Sequence, residues 1–162
     1  MSLERFHEAQ AKRSGGYDTA LAEIRAGCKR SHWIWYIFPQ IEGLGRSSTA
    51  RAYAMRDLGE ACAYFRDPIL RERYEEIVDA VSEQLSRGIR VEDLMASRTD
   101  ALKLVSSLTL FRAAAEQLAP EDPTFALLAQ RLAGLLEPTT KQGYPACDFT
   151  LARVDRVKRE IH

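Results

Sequence analysis

At 162 residues, 46% of them hydrophobic and 28% charged, the chain has the size and composition of one globular domain. Its 23 basic and 23 acidic side chains cancel, which argues against nonspecific nucleic-acid binding. Cys28, Cys62 and Cys147 form no C-x-x-C pair, the N-terminal MSLERFHEAQAKR lacks a signal core, and the longest apolar run, Trp33 to Pro39, is far short of the ~20 residues that span a bilayer, so zinc, disulfides and membrane are set aside and a cytoplasmic location is expected.

Ser2 is placed to cap a first helix with Leu3, Phe6 and Gln10 on one side, broken at Ser14-Gly15-Gly16. A second helix, from Asp18 to about Ala26, turns Leu21 and Ile24 inward and stops at Gly27. Ser31 caps a short helical or turn segment through Trp33 to Phe38, which Pro39 ends. The aromatic density there also fits a short strand, but no alternating partner exists elsewhere. Gln40 to Arg46 reads as a loop, Ser47 or Ser48 caps a helix to about Met55, and Asp57 caps another with Leu58, Ala61, Cys62 and Phe65 inward.

Asp67-Pro68 is a strong helix start, followed by Leu70, Tyr74, Ile77, Val81 and Leu85 at helical period until Gly88. Val91 to Ala96 is a short helical turn. Ser97 or Thr99 opens the most regular segment, with Leu104, Leu108, Phe111, Ala115 and Leu118 as one stripe. Asp122-Pro123 repeats the start signal, Phe125, Leu128, Leu132 and Leu135 face inward, and Glu137-Pro138 is predicted to stop that helix. Residues 139–162 read as an irregular segment plus a candidate terminal helix. The sum is an all-α fold, a compact orthogonal array of about seven to eight helices forming one domain over 1–162, with little or no β-strand.

Chemistry concentrates between Gly27 and Thr49, which holds both tryptophans, His32 and a Gly-x-Gly turn. Gly43-Leu44-Gly45-Arg46-Ser47-Ser48 precedes a helix start and offers backbone N–H groups, an arginine and two hydroxyls, the ingredients of an anion cradle. It matches neither a Walker motif nor a dinucleotide fingerprint, and its structural alternative is a glycine turn with a serine cap. His32 is the candidate proton carrier near neutral pH, unless it only bonds a backbone carbonyl. If the segment is helical, Trp33 and Trp35 diverge, one to the core and the other to a pocket; the favoured alternative is that both indoles are core.

Asp100, Lys103 and Ser107 stand at i, i+3 and i+7, next to Ser106. A lysine flanked by hydroxyls suits an anion, while an Asp100–Lys103 surface pair is the structural alternative. Two adjacent serines inside a strong helix admit a close neighbour. Cys28 beside Lys29 has no base placed for it. Glu60, Glu72, Glu75, Glu76 and Asp79 mostly fall on polar helix faces, and no metal or cofactor pattern is visible.

The first block, Lys29, His32-Trp33, Trp35, Ile37-Phe38-Pro39-Gln40, Gly43-Leu44-Gly45 and Ser47, resembles DUF1810, a family of uncharacterised bacterial proteins with the Rv1873-like fold. Arg5-Phe6, Ala9-Gln10, Tyr17 and Ala20-Leu21 fit upstream. Asp100, Lys103-Leu104, Ser106-Ser107 and Thr109-Leu110-Phe111 match a second block, and Asp148 with Thr150 a weaker terminal one. The sequence departs at Cys28, where the family often has arginine, at Ile34, where it often has methionine, and after Pro138. The resemblance implies a compact all-α domain and no established activity.

The residues point to a small anionic, nucleotide-like ligand between the HWIWYIFPQ-GLG segment and the DALKLVSSLTLF helix. Its contacts would be Lys29, Trp35, Gln40, Gly43, Gly45, Arg46, Ser47, Ser48, Lys103, Ser106 and Ser107, with His32 the one candidate for proton transfer. No nucleophile or metal set decides whether a reaction follows binding. Two alternatives stand beside this: a protein-interaction module with an exposed aromatic patch at Trp33 to Phe38, and RNA stacking helped by Lys29, Arg30 and Arg46, which the zero net charge disfavours. The ligand reading requires the two blocks to meet across a hollow.

Overall fold

Aspartate and serine caps decide where the long helices begin. Asp57 accepts from the Glu60 N–H at 2.9 Å, Ser97 from Asp100 at 3.0 Å and Asp122 from Thr124 at 2.9 Å, while Asp67 accepts from both Ile69 and Leu70. Each satisfies a donor that the first helical turn leaves free, and each cap is worth about 1 kcal/mol. The computed structural model describes residues 2–161, with side chains through Asp155. Among them lie α1 (Glu4–Gln10), α2 (Tyr17–Arg25), α3 (Ile34–Ile37), α4 (Ser48–Ala52), α5 (Leu58–Arg66), α6 (Pro68–Ser86), α7 (Val91–Leu94), α8 (Arg98–Leu118), α9 (Pro123–Lys141) and α10 (Asp148–Ile161), and no strand.

The ten helices exceed the seven to eight expected because three, α3, α4 and α7, are pieces of four, five and four residues. α4 stops at Ala52, short of Met55. The Met55 N–H donates to the Gln40 carbonyl and the Glu42 N–H donates to the Met55 carbonyl, both at 2.8 Å, in an isolated parallel bridge between Ile41 and Met55. Met55 is therefore committed to a neighbouring segment and cannot close another helical turn.

Pro138 does not end α9, which continues to Lys141. Proline forfeits one helical hydrogen bond. Buried Leu135, Leu136 and Thr139 nevertheless hold the last turn against the core, and the Thr139 and Thr140 hydroxyls donate to the Leu136 carbonyl at 3.1 and 2.6 Å. Packing outweighs the local breaker.

α8 is the central pillar, packed against α9 and α5 and touching α3, α7 and α10. Its Leu104, Leu108, Phe111 and Leu118 are fully buried, each burial contributing about 2 kcal/mol. Phe111 anchors an aromatic cluster with Tyr74, Phe65 and Tyr64 at centroid separations of 4.6, 4.8 and 5.1 Å. The α8 end nearest Ser97 extends beyond this cluster, and there the tryptophan segment comes to lie beside it.

Candidate functional site

Trp33, the residue before α3, and Trp35 within it take opposite roles. Trp33 is fully buried, and its Nε1 donates to Glu23 Oε1 at 2.9 Å. Glu23 also accepts from the Arg30 and Ser31 N–H groups and the Ser31 hydroxyl, so it folds the Arg30–Trp33 segment around itself. Burial alone would raise the Glu23 carboxyl, but these donors outweigh it and hold the group down at about 2. Trp35, only partly buried, projects towards α8 and carries the Lys103 ammonium 5.1 Å from its ring centroid.

Between them runs a groove of about 560 Å³, lined by Trp35, Gln40, Leu44, Gly45, Arg46, Ser47 and Ala50 on one wall and Thr99, Leu102, Lys103 and Ser106 on the other. The second wall is a single helical face at i, i+3, i+4 and i+7. The sequence stripe Asp100–Lys103–Ser107 started one residue too late. Ser107, one position beyond Ser106, points into the core and shares a 3.0 Å hydrogen bond with the Tyr74 hydroxyl. Ser106 stays at the groove, its hydroxyl donating to the Leu102 carbonyl at 2.9 Å. Thr99 and Leu102 were missed; the same period begun at Thr99, with apolar Leu102 off the buried stripe, marks them.

Four other expected contacts lie outside the groove. Lys29 is 6% exposed and serves the interior. Its Nζ lies 2.9 Å from Asp100 Oδ2, donates to the Ser31 carbonyl at 2.5 Å, and sits 5.0 Å from the Trp33 ring centroid. Gly43 adopts φ +103°, and a Cβ there would come within 2.9 Å of the Phe149 ring, so its backbone is pressed under α10 rather than turned to a ligand. Ser48 lines a neighbouring hollow, and so does His32, which is exposed on the far side of Trp35.

The serine cap weighed against the anion cradle is present at the glycine loop. α4 has only five residues, too few for an appreciable dipole, and the Ser47 hydroxyl is already engaged by the Ala50 N–H at 3.1 Å. Gly45 is there for close packing: a Cβ would meet that of Ala50 at 2.4 Å. Charge at the groove rests on side chains instead. Lys103 lies 3.7 Å from Asp100 Oδ1, but Asp100 is held more tightly by Lys29, and two ammoniums against one carboxylate leave one positive charge. Arg46 is exposed and has no salt-bridge partner among the described residues.

Of the aromatics between Trp33 and Phe38, only Trp35 escapes burial, so the segment presents one ring and not a flat patch. Burial pushes the Cys62 thiol up to about 11, away from the reactive thiolate form. Cys28 donates its thiol to the Lys29 carbonyl at 3.4 Å. Among the described residues no helix is long and apolar enough to cross a membrane.

The family model described as "Protein of unknown function (DUF1810)" matches residues 1–143, and the chain belongs to that family. The match ends before Asp148 and Thr150, so the weaker terminal resemblance falls outside it. The crystal structure of the conserved hypothetical protein Rv1873 from Mycobacterium tuberculosis is similar, with 34% identity over 93% of this chain and 94% of that one and a TM-score of 0.74. No curated protein matches the sequence.

Proposed function

We propose that this DUF1810 protein binds a small anionic, nucleotide-like ligand in the groove between Trp35 and α8. The carrying observation is a hollow of about 560 Å³ that joins an indole, Lys103 and Arg46 and has no carboxylate in its lining. Small-molecule sites span about 300–1,000 Å³, are mostly apolar, and orient the ligand by a few polar groups. Trp35, Leu44, Ala50 and Leu102 supply the apolar wall; Gln40, Ser106 and the two cations supply the polar groups. A flat ring or sugar rests against the indole and the anionic group sits between Arg46 and Lys103. Asp100 does not quench this charge, because Lys29 already engages it.

The reading is one of binding. His32 opens on the other side of Trp35 and lines a different hollow, so nothing in the groove is placed to move a proton. The test is calorimetric titration with inorganic phosphate, 5′-AMP and ADP-ribose. Lys103→Ala and Arg46→Ala should each weaken nucleotide binding about tenfold, the worth of one charge-assisted hydrogen bond. Absence of binding by all three probes would refute the reading. Leu102, 45% exposed, favours one alternative, a protein partner seated on the groove's apolar lip. That occupant would be lost with Leu102→Glu and indifferent to Lys103→Ala.

A further inference from the structure

Trp35 lines a second hollow as well. With it, Lys12, His32, Tyr36, Ser48, Thr49, Ala52 and Tyr53 line an open hollow of about 490 Å³. A narrow cleft bounded by Gln40, Ala50 and Tyr53 runs beside the ring and shares residues with both hollows. Neither lining contains a carboxylate, and each contains basic side chains, Arg46 and Lys103 on one side, Lys12 and His32 on the other. A groove along α6 differs: it is lined by Glu72, Glu75, Glu76, Asp79 and Glu83 together with Arg25 and Arg131, which pair with Glu76, Glu75 and Asp79. The zero net charge therefore leaves room for a local excess of basic side chains in the two hollows that share Trp35.

The two linings share Trp35 and no other residue, so their basic side chains fall into two separate groups around one indole. The Lys12 Nζ lies 5.4 Å from the Tyr36 ring centroid, which places its ammonium beside this hollow. The hydroxyls of Ser48, Thr49 and Tyr53 add donors on the same side.

We propose that the ligand spans Trp35 and carries two separated anionic groups, as does a nucleotide with phosphates on both sides of its sugar. One phosphate meets Arg46 and Lys103, the other meets Lys12 and His32, and the ring or sugar between them packs on the indole. This rests on the nucleotide-like reading of the first groove and extends it to the second.

The experiment compares adenosine 3′,5′-bisphosphate with 5′-AMP by calorimetry on the full chain. The bisphosphate should bind about tenfold more tightly, the gain from one further charge-assisted contact. In Lys12→Ala/His32→Ala that difference should collapse. Both positions are exposed, and circular dichroism confirms that the variant stays folded. Equal affinities for the two probes, or a difference that survives in the double variant, would overturn the two-sided site while leaving the first groove intact. No binding of either probe would overturn the two-sided site, and the first groove falls with it when inorganic phosphate and ADP-ribose also fail to bind.

Discussion

The clamp formed by Lys29 and Asp100 fixes how the tryptophan segment sits on α8, and removing its carboxylate is the sharpest test of that arrangement. The Lys29 ammonium is 6% exposed and has Asp100 at 2.9 Å, the Ser31 carbonyl at 2.5 Å and the Trp33 ring at 5.0 Å. Asp100→Ala leaves this buried cation with one carbonyl and a ring. Uncompensated buried charges cost about 3–5 kcal/mol. The Asp100 side chain is 18% exposed, so water can enter where it stood, and the lower end, about 3 kcal/mol, applies. Loss of an acidic group from the first turn of α8 adds about 0.5 kcal/mol. For a chain of this length about 3 kcal/mol lowers Tm by about 6–12 °C. Lys29→Met should cost less, about 1–2 kcal/mol, because Asp100 keeps Lys103 at 3.7 Å and some water. In urea unfolding the double variant should be more stable than additivity requires by about 2 kcal/mol. An Asp100→Ala variant within about 0.5 kcal/mol of the parent, or additive losses, would refute the clamp.

Two further outcomes follow from the same geometry. The Glu23 carboxyl falls from its ordinary 4.5 to about 2 in the folded chain, so the folded state binds its proton less readily than the unfolded state. Its stabilisation is complete above about pH 4.5 and is lost as pH falls towards 2, about 2 kcal/mol after allowing for solvent screening of a partly exposed group. Urea midpoints followed across that window should drop more steeply in the parent than in Glu23→Gln, and parallel curves would show that the four donors do not favour the charged form. Ser107→Ala removes a buried partner of Tyr74 and should lower stability by about 1–2 kcal/mol with nucleotide affinity unchanged. A loss of affinity in Ser107→Ala would mean that the groove reaches deeper than Ser106.

Local chemistry made much of the fold legible. The caps Asp57, Asp67, Ser97 and Asp122 start the helices where side-chain acceptors precede apolar periodicity, because a first-turn N–H needs only a neighbour in sequence. The same locality misled at Pro138, where the residue forbids one hydrogen bond but cannot report the buried leucines that keep the turn closed. The usual burial of tryptophan favoured both indoles in the core, yet only Trp33, just before α3, is buried, while Trp35 stays partly exposed.

What the sequence alone determined is the all-α class, the starts of the long helices capped by Asp57, Asp67, Ser97 and Asp122, and the DUF1810 resemblance, whereas the Ser31 cap failed and the tryptophan segment and the α8 block meet only through the fold. Only the tertiary structure decided which side chains remain free where they meet. Lys29 and Lys103 look alike in sequence, yet one is enclosed against Asp100 and Trp33 while the other reaches the groove. Ser106 and Ser107 differ by one position, about 100° around α8, and that rotation puts one at the hollow and the other against Tyr74. Neither outcome is encoded within a few residues of the side chain concerned. Each depends on what packs against it from far along the chain, and only the completed fold supplies that.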